Sequence, residues 1–109
     1  MPTTYKVLGQ VNPSATTNTT LYTVPAATST VVSTIAIANQ AGTSATYRIA
    51  VRPAGATLAS QHYIVYGATV AASDSILLTL GITLATTDII TVFASSANIS
   101  FSAFGSEIS

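Results

Sequence analysis

Along residues 31–52, VVSTIAIANQAGTSATYRIAVR, two runs of alternating side chains flank a short polar link. In the second run Tyr47, Ile49 and Val51 alternate with Arg48, Ala50 and Arg52. A side-chain period of two buries the first set and turns both arginines to the other face. In the first run Val31, Ser33, Ile35 and Ile37 share one face. Val32, Thr34, Ala36 and Ala38 share the other, a face of small groups that fits a strand covered on both sides. The link Asn39-Gln40-Ala41-Gly42-Thr43-Ser44 supplies Asn and Gly, which tolerate the positive φ of tight turns. The stretch therefore reads as a β-hairpin and as the expected nucleus of the core.

The same theme recurs in shorter pieces. Tyr5–Leu8 reads as an opening strand broken at Gly9, followed by a polar loop over 12–20. Leu21–Val24 is a second extended run, stopped by Pro25, which removes a ladder donor. Pro53-Ala54-Gly55 breaks the pattern again, and 56–60 fit a loop or one helical turn. Gln61–Tyr66 follows as a strand, with Gly67–Ser73 as a small-residue connection. Ser75–Leu80 alternates, with Gly81 marking a bulge or bend. Asp88–Ala94 sets Ile90 and Val92 against Ile89, Thr91 and Phe93, and Asn98–Ser102 places Ile99 and Phe101 inward. About eight short strands, spaced by turn signals and without a helical period, predict an all-β fold: one antiparallel β-sandwich or jelly-roll-like domain over residues 1–109. Its expected core holds Ile35, Ile37, Tyr47, Ile49, Val51, Leu78, Val92 and Phe101.

Composition changes this picture in one respect. Only 6% of the residues are charged, against about a quarter in an ordinary globular chain. With 19 Thr, 13 Ser and 18 Ala, the surface must be built from hydroxyls and methyls, which are easy to desolvate against other protein. The three cations Lys6, Arg48 and Arg52 are too few to neutralise several phosphates, so nucleic acid is not an expected partner. Absence of cysteine removes disulfides, thiolate nucleophiles and zinc knuckles. No basic and apolar leader follows Met1, so a signal peptide is not expected. The most apolar stretch, Ile76–Leu84, has about half the length of a membrane span, so it reads as buried strand.

Candidate chemistry is sparse. His62 with Asp74, Asp88 or a serine is the one conceivable nucleophile–base–acid set, and no Gly-x-Ser-x-Gly elbow supports it. One His and three scattered carboxylates do not make the ligand clusters of zinc or calcium sites, and Asp74 with Asp88 as a catalytic pair rests on the count alone. The expectation is a non-enzyme without metal or cofactor. Arg48 and Arg52, four residues apart on one face, read either as a partner- or anion-docking pair or as ordinary solubilising charges. Tyr5, Tyr22, Tyr47, Tyr63 and Tyr66 read either as a sugar-binding platform or as packing with a polar handle. Asn18-Thr19-Thr20 and Asn98-Ile99-Ser100 match the glycosylation pattern, as chance allows in so Thr- and Ser-rich a chain.

Four stretches carry a resemblance: Thr4-Tyr5-Lys6-Val7-Leu8-Gly9-Gln10, Leu21-Tyr22-Thr23-Val24-Pro25-Ala26, Tyr47-Arg48-Ile49-Ala50-Val51-Arg52-Pro53-Ala54-Gly55 and Phe101-Ser102-Ala103-Phe104-Gly105-Ser106-Glu107. Together they resemble small β-rich structural proteins of tailed-bacteriophage virions. The resemblance implies a non-enzymatic, multi-copy part of the particle, of the capsid decoration, neck or tail accessory type. Its implied partners are major capsid or tail proteins and further copies of itself. The alternative is a tail-associated adhesive module that uses its tyrosines on host surface glycans.

Overall fold

The computed structural model of the protein describes residues 2–109. Eight strands form: β1 (Thr3–Val11), β2 (Thr19–Thr23), β3 (Ser29–Asn39), β4 (Ala45–Arg52), β5 (Tyr63–Val70), β6 (Ser75–Leu84), β7 (Ile89–Ala94) and β8 (Ile99–Ile108). Among the described residues the only helical elements are single 3₁₀ turns at Pro53–Gly55 and Ser60–His62. The strands make two antiparallel four-stranded sheets, a front sheet in the order β1-β8-β3-β6 and a back sheet in the order β2-β7-β4-β5. The pairs β1–β8, β2–β7, β3–β6 and β4–β5 belong to one long ribbon folded back between β4 and β5, and β3–β8 and β4–β7 join its successive turns. A ribbon wound in this way into two facing sheets is a jelly roll.

The core lies between the sheets, where alternate residues of both meet. Val32, Ile35, Ile37, Ile99 and Phe101 come from the front sheet, and Tyr47, Ile49, Ile90 and Val92 from the back, all essentially without solvent contact. Tyr47 and Phe101 meet edge to face, ring centres 6.2 Å apart. Every residue of the expected core points inward, although Val51 and Leu78 are only half-buried.

Residues 31–52 are not a hairpin. β3 pairs with β6 and β8, β4 pairs with β5 and β7, and the link between them crosses from one sheet to the other. Alternation identifies an inward face without saying whether two such faces lie side by side or stacked, and here they stack. Asn39, 3% exposed, fixes the crossing. Its amide donates to the carbonyls of Thr43 (2.9 Å), Ala71 (3.1 Å) and Val70 (3.3 Å), and its side-chain oxygen accepts from the Ala41 N–H (2.9 Å). The N–H groups of Asn39 and Gln40 go to Asp74 and Asn98, away from β4 altogether.

The face expected for β3 holds for half of the strand. Register slips between Val32 and Thr34, so Ser33 is a bulge residue and the parity changes there: Thr30 and Val32 point inward before it, Ile35 and Ile37 after it. Val31 and Ser33 accordingly lie on the outer face. Comparable slips occur on β1 between Val7 and Gly9 and on β6 between Thr79 and Ile82, so the irregularities line up across the front sheet. At this line Gly105 is a requirement, because a Cβ there would overlap the Val31 carbonyl oxygen. Two glycines read as breakers do not end their strands. β1 runs on through Gly9, and β5 continues to Val70 because Gly67 takes a positive φ of 76° at a register slip. Gln61, expected to open β5, sits in the second 3₁₀ turn.

Candidate functional site

Arg48 and Arg52 both project from the outer face of the back sheet, as the alternation requires, and both are half-buried. Their roles differ. Arg52 is occupied by its own loop: Nε donates to the Ala56 carbonyl (2.7 Å), Nη2 to the Gly55 carbonyl (3.1 Å) and Nη1 to the Thr91 hydroxyl (3.4 Å). It holds the β4–β5 connection against β7. Arg48 instead lies between two aromatic rings, its guanidinium carbon 4.3 Å from the centre of Tyr66 on β5 and 4.3 Å from that of Phe93 on β7. Both rings are its cross-strand neighbours. Among the described residues no carboxylate pairs with Arg48 and its guanidinium donates no hydrogen bond, so this cation is held by ring faces.

Beside Tyr66 the β4–β5 connection leaves an open cleft of about 640 Å³, lined by Leu58, Ala59, Ser60, Tyr63 and Tyr66. Tyr63 and Tyr66 meet edge to face at 4.8 Å, and Tyr66 is 65% exposed. Of the five tyrosines, only these two come together. Tyr22 and Tyr47 are core residues, and Tyr5 stands on the outer face of the front sheet. A five-tyrosine platform is therefore excluded by the alternation of the strands that carry them.

The candidate catalytic residues serve loops. Asp88 accepts the N–H of Ala54 on one oxygen and that of Ala85 on the other, both at 2.8 Å. Asp74 accepts the N–H of Ser75 (2.8 Å). His62 Nδ1 accepts the N–H of Ala59 (3.0 Å), which puts the ring to work closing the second 3₁₀ turn. Among the described residues no three His, Asp or Glu side chains gather as metal ligands would, and no helix is long and apolar enough to cross a membrane.

One polar network was not legible in the sequence. Tyr22 of β2 donates its hydroxyl to Glu107 of β8 (2.5 Å) and shares a second hydrogen bond with the fully buried Thr30 of β3 (2.8 Å). Lys6 of β1 donates to the other Glu107 oxygen (3.3 Å). The Tyr22 hydrogen bond holds the Glu107 carboxyl below its ordinary range against the opposing effect of burial, with Lys6 assisting. Burial, then the same carboxylate, pushes Tyr22 up to about 12. These four side chains come from both sheets, so the network ties the sheets together.

The outer face of the front sheet has a different character. By register it presents Tyr5, Val7 and Gln10 of β1, Ser102, Phe104 and Ser106 of β8, Val31, Thr34, Ala36 and Ala38 of β3, and Leu77, Thr79 and Thr83 of β6. None of these carries a formal charge. Tyr5 is 83% exposed, Leu77 67% and Val7 48%, and Tyr5, Val31, Ser33, Phe104 and Ser106 border a shallow depression of about 350 Å³, which Lys6, at the β1 edge, also lines. Hydroxyls and methyls make up much of this face, as composition led one to expect of the surface in general. No protein-family model matches this sequence, and no curated protein matches it significantly.

Proposed function

We propose that the protein is a non-enzymatic structural component of a bacteriophage virion. It is a multi-copy capsid decoration, cement or head–tail accessory protein that stabilises the particle through protein–protein contacts. The observation that carries this reading is the uncharged outer face of the front sheet. Charge on a surface opposes association, and an outer face four strands wide without one charged side chain, but with Tyr5, Val7 and Leu77 exposed, is suited to burial against a neighbouring virion protein. The resemblance of four stretches of the chain to tailed-phage virion proteins supports the same reading. Affinity then comes from apolar burial and hydroxyl hydrogen bonds, not from steering by charge. Two measurements on purified virions test it. Quantitative gels should find the protein in numbers comparable with a capsid subunit, and a wash in about 1 M sodium chloride, where the Debye length is about 3 Å, should leave it bound while guanidinium releases it. Release by salt alone would overturn the reading.

The Tyr63–Tyr66 cleft favours a second reading, a tail-associated module that binds host surface glycans, since an exposed aromatic ring such as Tyr66, with the Ser60 hydroxyl and a second ring beside it, suits the apolar face of a sugar. Loss of virion adsorption to host cells on Tyr66→Ala, with particles otherwise intact, would move this reading ahead. Unchanged adsorption would remove it.

A further inference from the structure

Two four-stranded sheets that do not close leave four edges, and an edge strand presents unpaired N–H and C=O groups to any chain that can pair with them. Three of these edges are guarded. β1 carries Lys6; β2 has only five residues; and β5 is broken by two register slips, with Gly67 at a positive φ. β6 has only one slip, between Thr79 and Ile82, and its first half is unprotected. It is ten residues long, SILLTLGITL, without a charged residue or a proline. From Ser75 to Thr79 it pairs in unbroken register with β3, so its free side is straight over the same five residues. Ile76, Leu78, Leu80 and Ile82 point into the core yet are only partly buried, so the core is unfinished at this edge. At the centre of the straight stretch Leu77 stands 67% exposed on the outer face.

We propose that β6 pairs antiparallel with β6 of a second copy of this chain, across a two-fold axis at Leu77, joining the two front sheets into one of eight strands. A second copy fits because the edge is complementary to itself. In a two-fold antiparallel pair the central residue faces its own counterpart, so any charge near the centre would meet its like. A strand without charge leaves this pairing unopposed. Ile76 of each copy then packs against Leu78 of the other and continues the core, and Leu77 covers the Leu77 of the other copy. The inference deepens the assembly reading and rests on it only for its setting, because the pairing is tested on the isolated protein.

The test uses the full chain in solution. Sedimentation or light scattering across a concentration series should find a dimer. Leu77→Lys places two like charges in opposition at a site exposed enough to leave the fold intact, so the far-UV spectrum should stay unchanged while dimer dissociation rises about tenfold or more. The chain has no cysteine, so one introduced thiol reports unambiguously. Leu77→Cys should form a disulfide-linked dimer on exposure to air, since directly opposed Cβ atoms lie about 4.5–5.5 Å apart, close to disulfide reach. Thr83→Cys, on the same face beyond the register slip, should not. A protein monomeric at all concentrations, or a dimer indifferent to Leu77→Lys, overturns the pairing; either result leaves the virion reading to the copy-number and salt tests. Cross-linking of Thr83→Cys in place of Leu77→Cys overturns the stated axis.

Discussion

Removing one oxygen atom tests how much of the stability resides in the link between the sheets. Tyr22→Phe keeps the ring, which is 7% exposed and packed in the core, and deletes only the hydroxyl that joins Glu107 to Thr30. A carboxylate can only accept, so the Tyr22 proton belongs to Glu107 and the Thr30 hydroxyl donates to Tyr22. The variant therefore loses one hydrogen bond to a charged group, about 1.5–3 kcal/mol, and one neutral bond of about 1 kcal/mol, and it strands a buried Thr30 hydroxyl. These contributions overlap, and the expected total is about 3 kcal/mol. At about 2.1 cal/mol/K per residue, 109 residues convert this into a fall in Tm of about 13 °C. Urea unfolding followed by circular dichroism, with calorimetry beside it, measures both quantities. Pairing Tyr22→Phe with Glu107→Gln should return a coupling energy of at least about 1 kcal/mol. Adding Thr30→Val should not destabilise further in proportion, since it removes the stranded hydroxyl. A Tyr22→Phe variant within about 0.5 kcal/mol of the parent, or no coupling to Glu107, would refute the reasoning.

The same network sets the pH dependence. Glu107 titrates below its ordinary value in the folded protein, so its contribution is complete above the usual carboxylate range, about pH 4.3, and is lost as pH falls through the lower folded value. Tyr22 is raised to about 12, so its contribution is complete below about pH 10 and is lost as pH climbs from there towards 12. Urea midpoints across pH should fall at both ends, and the acid slope should flatten in Tyr22→Phe. Gly105→Ala forces a Cβ into the Val31 carbonyl and should destabilise by about 1–3 kcal/mol, visible as a lower urea midpoint. Arg48→Ala removes two ring contacts of about 0.5–1 kcal/mol each and should cost about 1–2 kcal/mol, whereas an ordinary solubilising charge would cost nothing measurable.

Period-two alternation made β4, β7 and the first half of β8 legible, down to which side carries the arginines, because these strands keep one parity where they face the core. It failed on β3 because Ser33 changes parity without leaving a mark in composition: a serine is as acceptable outside a regular strand as inside a bulge. The supposed hairpin failed for a related reason. The polar link from Asn39 to Ser44 looks like any turn, and only the buried Asn39 amide, bonded to residues some thirty positions away, reveals a crossing between sheets. Arg48 illustrates the limit at the candidate site. Its face was readable, but its fate depended on Tyr66 and Phe93, which reach it from separate strands through pairings that no local pattern encodes.

The winding of the ribbon also dictates an order of events. β8, the last strand in the chain, is not an edge but lies between β1 and β3, and its Phe101 and Ile99 are among the most deeply enclosed side chains. During synthesis, therefore, β1 and β3 emerge with a gap between them that nothing can fill until residues 99–108 leave the ribosome. Only β4 and β5 are neighbours both in sequence and in a sheet, so the nascent chain has one local pairing to form and must hold the rest of its apolar strands open. A topology of such high contact order folds slowly. Deleting β8 would remove the spine of the front sheet, so a chain without residues 99–108 is expected to fail as a whole, without leaving a smaller folded core behind.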